Sequence, residues 1–489
     1  MPLPLLGLLS LLACACSTRA APQATDSPPR VAREFRAAWV ATVNNSDWPS
    51  RPGLSSQELR AELDAIVARA ADLGLNALVF QVRPCADAFY KSPVEPWSEW
   101  LTGTQGQAPD GDFDPLAHVI ARCHERGLSL HAWFNPYRAR HERSKSPPAK
   151  SHVSQKAPQV VVKYGDYEWM DPGEPLAAQW SLAILQDVVQ RYDVDGVHID
   201  DYFYPYPQGK VPFPDDASFA KYRDGGGKLG RSDWRRANID EFVRRMYAVV
   251  HEAKPWVQVG ISPFGIARPG VPKGIQAGID QYEQLSADVL KWLREGWLDY
   301  LAPQLYWPID QTPQSFPVLL QWWHTQNPQA RAIWPGLNAG KMIAGGKGIR
   351  PNELREEVTL VRQAAVGRSS GHVHFPFKPL RRDDANGGAM LREMYREPAL
   401  VPAMPWLGGT PPQAPTARLL DGGRRVSFTT DAATRLVAVQ VRDRSGWRTA
   451  TILPATTSEF AVPSGSETVA LTAVSKTGIA STPALVSVR

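Results

Sequence analysis

The run Asp195-Gly196-Val197-His198-Ile199-Asp200-Asp201-Tyr202-Phe203-Tyr204-Pro205 contains a short apolar strand that ends in two acidic residues. Side chains alternate between the two faces of a strand, so Val197 and Ile199 are expected to face covering helices. His198 and Asp200 then face the opposite way, towards the axis of a closed sheet. A strand that is buried on both faces is typical of a parallel sheet covered by helices.

Seven other segments of similar length and apolar content lie on either side of this strand along the chain. Amphipathic helical patterns separate them, as in successive β/α units. Eight such units over about 360 residues predict a TIM (β/α)8 barrel. A doubly wound sheet is the alternative, but no glycine-rich phosphate-binding motif follows the first strand. The predicted strands are residues 35–43, 77–83, 128–135, 196–200, 257–262, 298–306, 332–337 and 373–377, and the predicted helices are residues 56–73, 115–126, 175–192, 239–253, 281–295, 315–326 and 352–366.

The composition changes after Pro402, where helical patterns largely stop. The run WLGGTPPQAP at 406–415 is rich in Gly and Pro and predicts a linker over residues 403–415. Short apolar segments bounded by turn residues follow, which predicts a small all-β sandwich over residues 416–489. This predicted sandwich resembles a fibronectin type III module. We therefore expect a barrel domain at 33–402 and an accessory domain with a spacing or binding role.

The N-terminus has the features of an export signal. A leucine-rich stretch, too short to span a bilayer, leads into Ala13-Cys14-Ala15-Cys16. Leu11-Leu12-Ala13-Cys14 resembles the lipobox of bacterial lipoproteins, which makes Cys14, or else Cys16, the predicted lipidation site. Residues 1–16 would be the signal and residues 17–32 a tether. We expect an exported protein, either a lipoprotein on the periplasmic face of the outer membrane or soluble in the periplasm.

The numbers of charged residues and of tryptophans indicate which classes of ligand the protein binds. The 54 basic and 49 acidic residues are interspersed, and a net charge of +5 does not suggest a nucleic-acid partner. The 17 Trp residues can pack cores, but as a set they favour a carbohydrate cleft, because flat rings stack on sugars. We expect neither a metal nor another cofactor, because no ligand-spaced motif occurs. The residues weighed for metal binding are His131, His198, His372, His374, Cys85 and Cys123.

In a TIM barrel the chemistry takes place at the carboxyl ends of the strands. Glycoside hydrolysis there needs two carboxyl groups, one to donate a proton and one to act as nucleophile or base. Asp200 is the candidate nucleophile or base, and Asp201 is a second catalytic candidate, although either could instead cap a segment or pair with an arginine. The partner of Asp200 is left open among Asp87, Glu95, Asp310, Glu168 and Asp171.

Planar hydrogen-bonding groups and aromatic rings at the other strand ends suit a polyhydroxylated ligand. Alternatives remain open: Arg83 could hold Asp200, Asn135 could satisfy loop backbone, and His198 could orient a carboxylate or fill the barrel interior. The predicted substrate-binding residues are Gln81, Arg83, Trp133, Asn135, His198, Tyr202, Gln304, Tyr306 and Trp307, with Trp334 and Asn338 as further candidates.

Several motifs recur in order along the barrel domain. They are FRAAWVAT at 35–42, FQVRP at 80–84, ADAFY at 86–90, EPWS at 95–98, LTG at 101–103, HAWFNPYR at 131–138, the run at 195–207 and LDYLAPQLYW at 298–307. Together they resemble the glycosyl hydrolase-like family ten over about residues 33 to 400. The resemblance implies a TIM-barrel glycosidase of the cell envelope, similar to lipoproteins that cleave peptidoglycan glycan strands after amidases have removed the stem peptides. It also implies that the catalytic aspartate is Asp200 or Asp201.

The expected partners are peptidoglycan or a related glycan, with proteins of cell division or wall remodelling as further candidates. Contact with a membrane is expected only through a lipid anchor. A non-catalytic glycan-binding envelope protein is the alternative function, followed by a metal-dependent barrel hydrolase. The hydrolase is preferred because a binding protein needs neither a barrel nor paired carboxylates at its mouth.

Overall fold

The computed structural model describes residues 27–488. The predicted signal with Cys14 and Cys16, and most of the tether, therefore lie outside the described residues. Each predicted strand segment contains a strand of one parallel sheet, although the strands are shorter than predicted. They are β1 (Phe35–Val40), β2 (Ala77–Arg83), β3 (Ser129–Phe134), β4 (Gly196–Ile199), β5 (Gln258–Ile261), β6 (Tyr300–Leu301), β7 (Ala332–Ile333 and Gly336–Asn338) and β8 (Gly371–Phe375).

The sheet closes into a barrel because β7 pairs with a neighbour on each side. Its first part pairs with β6 and its second part with β8, while β1 pairs with both β8 and β2. Between the two parts, the Trp334 N–H donates to the Leu301 carbonyl at 2.8 Å, and the Pro335 carbonyl accepts from the Val373 N–H at 3.0 Å. Proline has no N–H to donate, which interrupts the ladder at this point. The predicted TIM-like barrel is confirmed.

A helix follows each strand on the outside of the barrel. The first one is delimited by its sequence: the Ser55 side chain accepts from the Glu58 N–H in a capping box, and Gly74, at φ 75°, follows the last turn. The helices are α1 (Ser56–Asp72), α2 (Pro115–His124), α3 (Pro175–Arg191), α4 (Arg231–Ala253), α5 (Val289–Glu295), α6 (Phe316–Thr325), α7 (Glu353–Ala364) and α8 (Gly388–Met394).

Two predicted helices differ from those observed. The helix predicted from residue 239 begins at Arg231, because the polar first turns of α4 carry little apolar periodicity. The helix predicted over 281–295 is broken into Gln281–Gln284 and α5, where Ser286 has a φ of 56° and the Asp288 side chain caps α5. The other short helices are Glu99–Thr102, Val153–Lys156, Asp216–Asp224 and Ala339–Ala344, and single 3-10 turns lie at 43–45, 110–112, 158–160, 312–314, 378–381, 405–407 and 421–423.

An unpredicted antiparallel sheet follows β3. Its strands are Arg138–Arg140, Val161–Tyr164 and Tyr167–Met170, with Tyr167–Met170 in the centre. It lies in the long loop between β3 and α3, at the carboxyl ends of the barrel strands. The insertion therefore adds residues to the rim where chemistry is expected.

The barrel interior follows the predicted alternation. A Cβ on Gly196 would lie 2.4 Å from the His131 ring, so Gly196 faces inward, whereas Val197 and Ile199 belong to the outer core beneath the helices. Phe35 stacks on Trp334 inside the barrel with ring centroids 4.0 Å apart. The interior is thus filled by side chains, which form an apolar cluster that extends through the barrel from Met404 to Trp133.

Residues from Thr416 onwards form an all-β sandwich of two antiparallel sheets. The strands are β9 (Thr416–Leu420), β10 (Arg425–Thr429), β11 (Thr434–Asp443), β12 (Gly446–Pro454), β13 (Glu459–Ala461), β14 (Thr468–Ser475) and β15 (Ala484–Ser487). One sheet has the order β9-β10-β13, and the other has the order β12-β11-β14-β15.

The sandwich packs on the end of the barrel where the strands begin. Arg435 pairs with Asp195, which precedes β4, at 3.4 Å, and Lys476 pairs with Asp193 at 2.8 Å. An apolar cluster that includes Leu400 joins the two domains. This face is opposite to the carboxyl ends of the strands.

The first part of the predicted linker is packed against the barrel. Met404 is buried in the interior cluster and closes the barrel floor, and Trp406 Nε1 donates to Asp299 Oδ1 at 2.7 Å. The end of the predicted tether is also held, since the Pro29 carbonyl accepts from Gln440 of the sandwich at 2.9 Å. No helix within residues 27–488 is both long enough and apolar enough to cross a bilayer.

Candidate functional site

A cleft of about 360 Å³ opens at the carboxyl ends of the barrel strands. Seven of the predicted site residues line it, together with seven polar or aromatic residues that were not predicted. The predicted ones are Gln81, Trp133, Asp200, Asp201, Tyr202, Gln304 and Tyr306, and the unpredicted ones are Trp39, Ser46, Arg138, His141, Tyr206, Ser262 and Phe375.

Asp200 lies in the floor of the cleft with 6% of its surface exposed. Both of its carboxylate oxygens accept from Asn135 Nδ2, at 3.0 and 3.1 Å. Burial, followed by the charge of Asp201, raises the pKa of Asp200 to about 7, against the opposing effects of Arg138 and the Asn135 hydrogen bond. Asn135 therefore orients Asp200. It does not line the cleft as a substrate-binding residue, and it does not serve only the loop backbone, which are the two roles considered from the sequence.

Asp201 is equally buried beside it. The Tyr206 hydroxyl donates to Asp201 Oδ2, and the Gln304 side chain also hydrogen-bonds to this carboxylate. Burial raises the pKa of Asp201 above its ordinary value, which these two bonds oppose. Because neighbouring buried carboxylates disfavour a double negative charge, the pair tends to retain a proton.

Arg138 is the cation of the cleft. It follows β3, its guanidinium carbon lies 4.8 Å from the centre of the Tyr202 ring, and its Nε donates to the Pro84 carbonyl at 3.1 Å. Its charge lowers the pKa of Asp200. The sequence signal for Arg138 was its place at the end of the run 131–138, one strand away from Asp200.

Two hydrogen-bond donors at the cleft have no partner within residues 27–488. Gln81 Oε1 accepts from the N–H groups of Thr42 and Val43, both at 2.9 Å, but its Nε2 is unpartnered. Trp133 Nε1 is also buried and unpartnered. A buried donor without a partner is costly, so both atoms are suited to a ligand that supplies oxygen acceptors.

Glu95 and Arg83 form a buried ion pair with each other and do not line the cleft. Arg83 Nη2 lies 2.6 Å from Glu95 Oε1, which also accepts from Trp180 Nε1 at 2.8 Å. Arg83 therefore neither lines the cleft, as predicted for a substrate-binding residue, nor holds Asp200, which was the alternative considered for it. Asp87 is also buried away from the cleft and accepts from the Cys85 N–H at 2.9 Å, and burial raises its pKa to about 7.

His198 fills the barrel interior below the cleft, which is one of the two alternatives considered for it. Trp39 Nε1 donates to His198 Nε2 at 3.2 Å, the Tyr300 hydroxyl lies 2.9 Å from Nδ1, and Ser262 Oγ lies 2.8 Å from Nε2. Burial lowers the pKa of His198 well below its ordinary value. The ring is therefore neutral. It does not line the cleft.

The remaining sequence candidates also lie away from the cleft. Trp307 packs edge-on against Phe264 at 5.6 Å, Trp334 is in the barrel interior, and Asn338 caps the helix Ala339–Ala344. These residues flank the strand ends, but their side chains point elsewhere. Of the other carboxylates, Asp310 pairs with Arg350 on the surface, Asp171 binds Ser218 and the Gly173 N–H, and Glu168 lies in the inserted sheet.

The histidines considered for metal binding are engaged elsewhere. His372 and His374 both contact the Tyr395 hydroxyl, and His131 contacts that of Tyr300. Within residues 27–488 no three His, Cys, Asp or Glu side chains are grouped to hold a metal ion. The thiols of Cys85 and Cys123 are buried and unpaired.

Comparison with known proteins gives a family for this architecture. Residues 34–347 match the family described as Glycosyl hydrolase-like 10. The glycosyl hydrolase YngK of Bacillus subtilis is 38% identical over 393 residues, which cover 78% of this chain and 76% of YngK. The glycosyl hydrolase DigH of Escherichia coli K12 is 34% identical over 347 residues, covering 64% of this chain and 77% of DigH. The chain therefore belongs to the glycosyl hydrolase-like 10 family.

Proposed function

We propose that this protein hydrolyses glycosidic bonds of a bacterial envelope glycan, with peptidoglycan strands that lack stem peptides as its substrate. The observation that carries this proposal is the adjacent, buried pair Asp200 and Asp201 in a cleft lined by aromatic rings. Family membership and the names of the two relatives agree with a glycan-cleaving hydrolase.

The two carboxyl groups have complementary roles in the proposal. Both pKa values are raised, and neighbouring acids lose their protons in two separate steps, so near neutral pH the pair can present one acid and one carboxylate. Asp200, whose orientation Asn135 sets, is proposed as the nucleophile or base. Asp201 is proposed as the second carboxyl group that glycoside hydrolysis needs at the same bond.

Sugar binding is assigned to the walls of the cleft. The Tyr306 ring stacks on Phe375 with centroids 5.7 Å apart, and Trp133 and Tyr202 supply further aromatic surface. Aromatic faces stack on the apolar faces of sugars, and the free Nε2 of Gln81 can donate to a sugar hydroxyl.

The other proposals concern location and the accessory domain. We propose export with lipidation at Cys14 or Cys16, giving a periplasmic protein on the outer membrane or free in the periplasm, where wall-remodelling or cell-division proteins would be partners. We also propose that the sandwich is a fibronectin type III-like module. Its seven strands, arranged as sheets of three and four, support that assignment.

The test compares soluble glycan release from amidase-treated and untreated peptidoglycan by the purified protein, its Asp200→Asn variant and an Asp310→Asn control. Asp310 is a surface aspartate paired with Arg350, so the control makes the same substitution outside the cleft. Wild type and control should release fragments, more from the stripped wall, whereas folded Asp200→Asn should bind without releasing any. Binding by the wild type with no release from either wall would favour the non-catalytic alternative.

A further inference from the structure

A second cavity, of about 530 Å³, lies at the end of the barrel opposite to the cleft. Its walls come from the segments that precede β1, β7 and β8, from the ends of α6 and α7, and from the packed part of the linker. We call it the floor cavity. The residues of the floor cavity that matter here are Arg33, His324, Arg331, Arg368, Ser370 and Trp406.

The floor cavity has an excess of positive charge. Three arginines line it, and no aspartate or glutamate does. Arg33 donates to the carbonyls of Val401 and Gly478, and Arg368 donates to that of Ala364. Within residues 27–488 neither of these two arginines forms an ion pair with a carboxylate, so their charges are not neutralised by the protein.

Arg331 is only weakly compensated. Its Nη1 lies 4.0 Å from Asp299 Oδ1, and Asp299 already accepts from Trp406 Nε1 at 2.7 Å and from the Val259 N–H at 2.8 Å. The Arg331 guanidinium also lies over the Trp406 ring at 4.9 Å. The indole supports the guanidinium from one side, and Nη2 donates to the Gly296 carbonyl at 3.2 Å, which leaves Nε and Nη1 for another partner.

Several buried polar atoms around the floor cavity have no hydrogen-bond partner in the described part of the chain. They belong to Arg331 (Nε and Nη1), His324 (Nε2) and Ser370 (Oγ), and His324 is only 7% exposed. Buried polar atoms in native proteins are nearly always paired, and a cluster of unpaired ones needs a cause. Guanidinium and hydroxyl donors beside one cavity are complementary to a ligand with several negatively charged oxygens.

We propose that the floor cavity binds the phosphate group of a small soluble molecule. Phosphate presents acceptor oxygens on all sides, carries more negative charge than a carboxylate, and matches the fork geometry of guanidinium groups. The cavity volume lies within the roughly 300–1,000 Å³ of typical ligand pockets, so the phosphate can carry an organic substituent. This proposal does not depend on the chemistry of the cleft, which lies at the other end of the barrel.

The test is calorimetric titration of inorganic phosphate into the purified full-length protein at constant ionic strength. We expect saturable binding of one phosphate and a shift of the His324 imidazole NMR signals. Arg368→Gln should weaken binding about tenfold, since a charge-assisted hydrogen bond is lost, and this exposed side chain can be replaced without affecting the fold. Arg244→Gln is the matched control, because Arg244 is a surface arginine on α4 that pairs with Glu241, and it should bind as the wild type does.

Four outcomes would overturn the proposal. They are the absence of saturable binding, equal affinity of Arg368→Gln and wild type, an equal response to sodium acetate at the same ionic strength, and unmoved His324 signals at saturation. A parallel sedimentation experiment with phosphatidylglycerol vesicles separates the sources of phosphate. Sedimentation with vesicles in the absence of binding to free phosphate would indicate a membrane surface and exclude a soluble ligand.

Discussion

Asn135 is the residue on which the orientation of Asp200 depends. One amide nitrogen donates to both carboxylate oxygens, and this bond lowers the pKa of Asp200 against the effect of burial. The amide comes from the end of β3 and the carboxylate from the end of β4, which are neighbouring strands of the barrel. Asn135 is therefore a positioning residue under the proposed function.

Asn135→Ala should reduce turnover roughly 100-fold, because the Asp200 carboxylate is then no longer held in its reactive orientation, and a small misplacement of a catalytic group lowers the reaction rate by about that factor. The pKa of Asp200 should rise further, so the acidic limb of the pH–rate profile should move to higher pH and activity should fall more at pH 6 than at pH 8. The measurement is kcat/KM across this pH range. Asn352→Ala, at an exposed position before α7, is the control and should change neither quantity. A rate loss without a displaced pH profile would contradict the positioning role.

Glu357 shows how a buried acid makes stability depend on pH. It is fully buried in α7, and neither of its carboxylate oxygens has a partner within residues 27–488. Burial, followed by the charge of Glu353, raises its pKa well above the ordinary value. Because the folded state holds this proton more tightly than the unfolded state, its contribution to stability is present below pH 4 and is lost progressively as the pH rises.

Glu357→Gln should leave the free energy of unfolding nearly unchanged at pH 4 and increase it by about 1–3 kcal/mol at pH 8, since the amide keeps the shape and needs no proton. Urea unfolding at the two pH values measures this difference. Glu252→Gln, at an exposed position of α4, provides the same substitution without burial and should show no such gain. An equal change in the free energy of unfolding at both pH values would mean that the pKa of Glu357 is not raised in the folded protein.

At the scale of elements, the short segment Pro405–Leu407 does more than connect two domains. Met404, which precedes it, closes the barrel floor, and Trp406 binds the buried Asp299. The Gly- and Pro-rich composition predicted a linker but did not show that its first residues pack. Trp406 and Asp299 are 107 residues apart, so no local pattern connects them.

Trp406→Phe should lower the free energy of unfolding by about 1–3 kcal/mol, because Asp299 loses one of its buried donors. The cleft lies at the other end of the barrel, so kcat/KM on soluble glycan should be unchanged. Urea unfolding and a turnover assay measure the two quantities. Trp447→Phe is the matched control, since the Trp447 indole nitrogen has no partner within residues 27–488, and a similar loss in both variants would contradict the role given to the Asp299 bond.

At the scale of the whole molecule, the sandwich and the cleft lie at opposite ends of the barrel. The sandwich contacts Asp195, which precedes β4, and Leu400, which pairs with Arg33 just before β1, whereas Asp200 follows a strand. A glycan in the cleft is therefore not in reach of the sandwich on the same molecule without extending round the barrel. The sandwich packs against the barrel floor. A ligand of the sandwich would therefore bind away from the cleft.

Deletion of residues 410–489 should leave the barrel soluble with unchanged kcat/KM on soluble glycan, but less stable. Exposing Leu400 alone should cost about 2 kcal/mol, and Asp195 loses Arg435 as a partner. Thermal unfolding and turnover of the truncated and full-length proteins measure the two effects. A folded truncated protein that has lost turnover would show that the sandwich takes part in catalysis, and an undiminished melting temperature would show that the interface contributes no stability.

The sequence by itself determined the barrel and the position of Asp200, because both follow from local patterns. Strand alternation and helical amphipathicity act within a few residues, and they direct His198 and Asp200 inward and Val197 and Ile199 outward. The strand ends of the barrel also predicted seven residues that line the cleft. The break in the helix predicted over 281–295 and the inserted sheet were missed, since their turns depend on packing with distant segments.

Only the tertiary structure decided which side chains meet. Arg83 pairs with Glu95 and not with Asp200, the Tyr206 hydroxyl holds Asp201, and Arg138 enters the cleft from the inserted sheet. The floor cavity likewise brings together residues that are far apart in the sequence, from Arg33 before the first strand to Trp406 in the linker. The direction of a side chain follows from its own strand, but its partner is set by how remote strands and loops pack, and no local sequence pattern carries that information.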